Sequence, residues 1–207
     1  RQPIFMEIIS KIFLYVIIVI SSVFHEFAHA WMAFQLGDST AKNEGRLTLN
    51  PLVHLDPMGT VFLPLLFLFT FNGFIGWAKP VPYNPHMLRD QRYGSLKVAL
   101  AGPLANILIA IFLGLVVRFA SLTLSASLVE ALSIIIFINL FLALFNLIPL
   151  PPLDGSKVFA DLFPNAWVSV MRVGPWGVFA AILIAFYFLS PVARFLFKII
   201  VGHGFGF

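Results

Sequence analysis

An apolar run beginning near Ile8 ends on Val23-Phe24-His25-Glu26-Phe27-Ala28-His29-Ala30. Two histidines spaced as i and i+4 fall one turn apart on the same face of an α-helix, so both imidazoles can reach one metal ion. Glu26 lies beside them, where it can take a proton from a water activated by that metal. Ionisable groups deep in an apolar helix are costly to bury unless a metal or a partner group compensates them. The motif therefore reads as a polar patch capping a membrane helix, as a metal site without chemistry, or as a centre that activates water. The rest of the chain has to separate these.

Composition decides the solvent. Sixty per cent of the 207 residues are hydrophobic and 11% are charged, too few charges for an ordinary water-exposed surface. The reading is an all-α polytopic membrane protein: a transmembrane helix bundle with a small β-containing loop region. Cysteine is absent, which excludes disulfides, thiolate ligands and a cysteine nucleophile. The net charge of +4 bears on loop orientation, and no basic helix or basic–aromatic pattern points to nucleic acid.

Spans are expected from Ile8 to about Phe34, from Tyr93 to about Phe119, from Leu128 to Ile148, and from Trp167 to Leu189 with an interruption at Gly174-Pro175. Between the first two lies a polar stretch, residues 37–56, in which Leu47-Thr48-Leu49 has β character, Asn50-Pro51 marks a turn and Asp56-Pro57 a helix cap. The apolar segment 59–76, with Pro64 and Asn72-Gly73, is expected to enter and return without crossing. The prolines of Lys79-Pro80-Val81-Pro82-Tyr83-Asn84-Pro85 exclude a regular helix there. The chain reads as one membrane domain, residues 1–207, with its core at about 8–160 and a C-terminal membrane segment and tail at 161–207.

Two imidazoles leave a tetrahedral zinc site short of a third protein ligand and an open position. The acids to consider are Glu7, Asp56, Glu130 and Asp154. Glu7 and Glu130 begin spans on the side opposite the motif, and a helix cap explains Asp56. Asp154 follows a helix broken by Pro149, Pro151 and Pro152, and such breaks at membrane depth occur where backbone lines a cavity or is buried in protein. It is the best third ligand. Asn146, in the same segment, can orient a substrate or donate to a developing oxyanion, or equally satisfy freed helix carbonyls. His54 reads as structural or as a neighbour of the metal site, and Asn106 as a hydrogen bond between helices.

The ordered set of His25-Glu26-Phe27-Ala28-His29, Asn50-Pro51 with His54 and Asp56-Pro57, Gly76-Trp77-Ala78-Lys79-Pro80, Ala101-Gly102-Pro103-Leu104-Ala105-Asn106 and Asn146 through Gly155 resembles the site-2 proteases, the intramembrane zinc metalloproteases. The resemblance covers roughly residues 20–160 and is to the compact prokaryotic members without a PDZ domain. It implies one zinc ion per chain bound by His25, His29 and Asp154, Glu26 as catalytic base, and Asn146 as a substrate or oxyanion residue. Many relatives carry a second glycine after Asp-Gly, where this chain has Ser156. The activity so implied is hydrolysis of peptide bonds within or near transmembrane segments of other proteins, in regulated intramembrane proteolysis. The alternative is a membrane metal-binding or metal-transport protein without peptidase activity.

Six of the 13 basic residues (Lys42, Arg46, Lys79, Arg89, Arg92 and Lys97) fall at or near 37–94, which the positive-inside rule assigns to the cytoplasm. The expected setting is the cell membrane, multi-pass, with the active site toward the cytoplasmic side. The expected partners are the lipid bilayer and a transmembrane protein substrate, no nucleic acid is expected, and homo-oligomerisation is left open.

Overall fold

Four helical stretches in the computed structural model, which describes residues 4–70, 76–172 and 176–202, are long and apolar enough to cross a membrane. The first is α1 (Ile4–Gln35). A one-turn helix, α2 (Thr40–Asn43), follows, and later a π-helical stretch, Pro57–Phe62, leads into α3 (Leu63–Thr70). The second and third crossing helices are α4 (Gly94–Ala120) and α5 (Ala126–Asn146). Then come α6 (Asp154–Leu162) and α7 (Pro164–Met171). The fourth stretch, Phe179–Val201, combines most of α8 (Trp176–Ile184), a π-helical turn at Ala185–Leu189, and α9 (Ser190–Val201).

This last stretch corrects the expected span Trp167–Leu189. Pro191 does not end the membrane helix but lies in the first turn of α9. Proline is tolerated there because it lacks only an N–H that the first turn leaves unpaired, and the π-helical turn Ala185–Leu189 precedes it. The expected interruption, Gly174-Pro175, lies outside the described residues.

α4 is the central helix, packed against α1, α5, α6 and α9. Apolar burial drives helix association weakly in lipid, so contact depends on small residues that let backbones approach. Ala99, Ala101, Gly102, Ala110 and Gly114 are all buried on α4. A Cβ on Gly114 would stand 2.3 Å from Ile200, so only glycine permits that α4–α9 approach. Leu108, Phe112, Phe119, Phe188 and Phe195 point outward and are largely exposed, as lipid-facing side chains are.

The loop region is built from caps and turns. Among the described residues there is no strand, so the expected β element at Leu47-Thr48-Leu49 is not present. Its hydrogen-bonding groups are committed locally: the Thr48 hydroxyl accepts from the Asn50 N–H at 3.2 Å, and the Thr48 carbonyl accepts from His54 Nε2 at 2.9 Å. Turn bonds of this kind compete directly with a β-ladder. Asn50 caps the 3-10 turn Pro51–Val53, and Asp56 caps the next stretch by accepting from the Met58 and Gly59 N–H groups at 3.1 and 2.6 Å. Asp90 sits before α4, where hydrogen bonds from Lys97 Nζ and from the Tyr93 N–H hold its carboxyl down at about 2.

The apolar helix Pro57–Thr70 rises only about 21 Å at 1.5 Å per residue, short of the roughly 30 Å hydrocarbon core. Beyond it, the Trp77 N–H donates to the Gly59 carbonyl at 2.9 Å, Thr60 Oγ1 donates to the Trp77 carbonyl at 2.8 Å, and the Lys79 N–H donates to the His54 carbonyl at 3.0 Å. The two ends of this segment therefore adjoin, on one side of the bundle. Asn72-Gly73, expected to form the bend, lies outside the described residues.

The absence of cysteine makes this topology directly measurable. Single cysteines at Lys42, Trp77 and Leu122 are predicted to label with an impermeant maleimide from one side for the first two and from the opposite side for the third. Trp77 labelling together with Leu122 would show instead that the segment crosses.

Candidate metal centre

α1 projects His25 and His29 from successive turns toward α4 and α6, and Asp154 begins α6. The three side chains are buried, and their nearest atoms form a triangle: His25 Nε2, His29 Nε2 and Asp154 Oδ2 are each 3.0 Å from the other two. No other group of three or more potential metal donors occurs among the described residues.

The hydrogen bonds behind the rings define their protonation. His25 Nδ1 lies 2.7 Å from Asn106 Oδ1, and His29 Nδ1 lies 2.7 Å from the Val98 carbonyl oxygen. Both partners only accept, so both Nδ1 atoms carry the proton and donate. A neutral imidazole then has its lone pair on Nε2. Asp154 Oδ2, the third atom of the triangle, is a carboxylate oxygen and likewise only accepts. Three electron-rich atoms thus converge without a proton assigned among them. One proton can bridge one pair, whereas a single cation satisfies all three.

The dimensions suit zinc. Ligands about 2.0 Å from a tetrahedral ion stand about 3.3 Å apart, close to the triangle observed. A second feature fits the same ion. A Cβ placed on Gly102 of α4 would lie 2.4 Å from His29 Nε2 and 2.6 Å from His25 Nε2, so the missing side chain leaves room next to the donors. Gly155 is needed for a different reason: a Cβ there would meet the Leu147 carbonyl oxygen at 2.3 Å, so its absence lets α6 begin tightly against the end of α5.

The remaining candidates occupy distinct places. Glu26 Oε2 accepts from the Val81 N–H at 3.0 Å. Val81 stands between Pro80 and Pro82, neither of which has an N–H, so this is the one backbone donor of that triplet. Asn146 Nδ2 donates to the Leu142 carbonyl at 3.0 Å on its own helix, and no hydrogen bond joins it to the three donors among the described residues. His54 is almost fully buried but belongs to the loop, with Nε2 donating to Thr48 and its carbonyl accepting from Lys79. Lys157 Nζ lies 3.3 Å from Asp154 Oδ1, the oxygen turned away from the histidines, and 5.6 Å from the Tyr83 ring centre.

Sequence reasoning did not find Ser21, Val98, Asn139 or Val81 as neighbours of the site. A backbone carbonyl or N–H leaves no mark in the residue type. Asn139 is marked in the sequence only as a polar residue within the apolar run of residues 128–148.

Comparison with known proteins identifies the family. The description "Peptidase family M50" matches over residues 13–124 and 114–190. This chain belongs to that family. It is 43% identical to "Putative zinc metalloprotease YwhC" of Bacillus subtilis (strain 168) over 192 residues, covering 89% of this chain and 83% of that protein. It is 32% identical to "Putative zinc metalloprotease Rip2" of Mycobacterium tuberculosis (strain ATCC 25618 / H37Rv), covering 84% of this chain and 65% of that protein. It is 35% identical to "Putative zinc metalloprotease MJ0611" of Methanocaldococcus jannaschii, covering 72% of this chain and 69% of that protein. No solved structure matches the chain.

Gly102→Ala places a methyl group against the donor atoms. It is predicted to reduce bound zinc, measured by elemental analysis of purified protein, to below about a tenth of the wild-type content, with the helical circular dichroism retained. Full zinc content in Gly102→Ala would contradict the role given to this glycine.

Proposed function

We propose that this chain is a zinc-dependent endopeptidase that hydrolyses peptide bonds within or near transmembrane segments of other membrane proteins, from an active site toward the cytoplasmic side. The observation that carries the reading is the buried triangle of His25, His29 and Asp154 with Glu26 next in sequence to His25. Membership of a peptidase family and the names of its relatives support the reaction class. The apolar bundle around the triangle supports a membrane-embedded substrate.

His25, His29 and Asp154 are the residues that would hold the zinc ion, which when bound would supply Lewis acidity toward a water and toward the carbonyl under attack. Glu26 is the general base. The Val81 N–H holds one carboxylate oxygen and leaves the other to receive the proton of the attacking water. The protonated acid then returns that proton to the leaving amine. Asn146 is proposed to donate to the oxyanion, which requires its Nδ2 to exchange the Leu142 carbonyl for the substrate.

A substrate helix has its carbonyls committed to backbone hydrogen bonds, so it must unwind before attack. The extended stretch 76–84, fixed to Glu26 through Val81, borders the site where that would occur. The basic residues of the loops support placing this face in the cytoplasm. Metal transport is less well supported, because the donors converge at one point and do not line a path.

Glu26→Gln preserves shape but removes the base. With a purified membrane-protein substrate, it is predicted to keep about one zinc per chain while cleavage falls about 10²–10⁴-fold. Asp154→Ala is predicted to lose both zinc and cleavage. Cleavage at the wild-type rate by Glu26→Gln would defeat the mechanism, and unchanged zinc in Asp154→Ala would remove that residue from the ligand set.

A further inference from the structure

A buried chain of side-chain amides runs from His25 away from the triangle and through the bundle. Asn106, on α4, is fully buried, and so are Asn139 on α5 and Ser21 on α1. Asn106 Nδ2 donates to the Ser21 carbonyl at 3.3 Å and to Asn139 Oδ1 at 2.8 Å. Asn139 Nδ2 donates to the Ile135 carbonyl at 2.9 Å and to Ser21 Oγ at 3.0 Å. Asn106 Oδ1 faces His25 Nδ1 at 2.7 Å.

An asparagine amide can be turned end for end with little change of shape, so its direction has to come from its neighbours. Here two backbone carbonyls supply it. The Ile135 carbonyl can only accept, which points Asn139 Nδ2 toward it and Asn139 Oδ1 toward Asn106. The Ser21 carbonyl can only accept, which points Asn106 Nδ2 the same way. Both constraints turn Asn106 Oδ1 toward His25. Reversing Asn106 would set its oxygen against two other oxygens in a buried site, which is strongly unfavourable.

We infer that Asn106, oriented by Asn139, is a positioning residue that fixes the His25 tautomer with its proton on Nδ1, leaving the Nε2 lone pair free for the metal. A reversed Asn106 would present an N–H group to Nδ1, forcing the proton onto Nε2, where it blocks coordination. The inference rests on the metal-centre reading. It adds to the ligand set a relay from α5 through α4 to α1, so that Asn139 bears on the first ligand through Asn106. Ser21 Oγ is dispensable to it, because the Ile135 carbonyl already orients Asn139.

The test combines zinc affinity, measured by competition with a chromophoric chelator, with ¹⁵N NMR of histidine-labelled, metal-free protein in detergent, His25 being assigned by its loss in His25→Gln. In the wild type, His25 is expected as the Nδ1-protonated tautomer. Asn106→Leu is expected to weaken zinc binding about 10–100-fold, in the range found when partners of metal-ligating histidines are removed. Asn139→Leu is expected to weaken it less, with a mixture of His25 tautomers, and Ser21→Ala to stay within about twofold of wild type. An Nε2-protonated His25 in the wild type would overturn the inference. So would wild-type affinity in both asparagine variants, or affinities that simply follow the melting temperatures, with Ser21→Ala as impaired as Asn139→Leu. If the wild type binds no zinc at all, the metal-centre reading fails, while the tautomer of His25 still decides the relay.

Discussion

Three electron-rich atoms pressed together inside an apolar bundle constrain everything around them. Each of the His25, His29 and Asp154 donor atoms would be unfavourable alone at that depth, and together they repel. The arrangement is stable only with a cation at its centre and with the remaining polar atoms of each residue satisfied elsewhere. The fold meets the second requirement directly. Val98 and Asn106 take the two Nδ1 protons, and Lys157 approaches the outer oxygen of Asp154. The first two of these partners lie on α4, which must therefore approach α1 closely, and small residues, Ala99, Ala101 and Gly102, lie buried between Val98 and Asn106.

The same logic governs the loops. Asp38 is completely buried just after α1, and its carboxylate accepts from the Thr40 N–H at 2.9 Å and from the Asn84 N–H at 2.6 Å. Arg46, also buried, donates to the Val53 carbonyl. The Arg89 N–H donates to the Leu36 carbonyl at 2.8 Å. The bonds from Asn84 and Arg89 tie the chain after Val81 back to the end of α1, and those from Trp77 to Gly59 and from Lys79 to His54 anchor it before Val81. A proline-rich stretch has few backbone donors to hold its own shape, and here the shape is imposed from outside, by the carboxylates of Asp38 and Glu26 and by backbone bonds to Gly59, His54 and Leu36.

Much of this was legible in the sequence because it is local or compositional. Long apolar stretches specify α1, α4 and α5, and the i, i+4 histidines specify a shared helix face. The break at Pro149-Leu150-Pro151-Pro152 marks where Asp154 can leave the helical path. What was not legible depends on tertiary partners. Leu47-Thr48-Leu49 has strand-forming residues, but a strand needs a neighbour, and the carbonyl and hydroxyl of Thr48 went to His54 and Asn50 instead. The last span is expected to end at Leu189, yet the π-helical turn Ala185–Leu189 leads straight into α9, with Pro191 in its first turn. Asn106 and Asn139 announce hydrogen bonds, but spacing cannot say to whom, because their partners lie on three different helices.

Ser156, where many relatives have glycine, follows from the way α6 starts. Gly155 cannot carry a side chain because the Leu147 carbonyl occupies the space. One residue later the backbone has turned, and the Ser156 hydroxyl donates to the Leu153 carbonyl at 2.6 Å while the Ser156 N–H reaches the same oxygen at 3.0 Å. The carbonyl of Leu153, the N-cap residue of α6, thereby accepts twice from within the first turn of the helix. That turn presents Asp154 at the helix N-terminus, where backbone N–H groups favour a negative charge. The serine thus adds a side-chain hydrogen bond to a backbone bond that a glycine would also make, and it does so on the turn that positions the third donor.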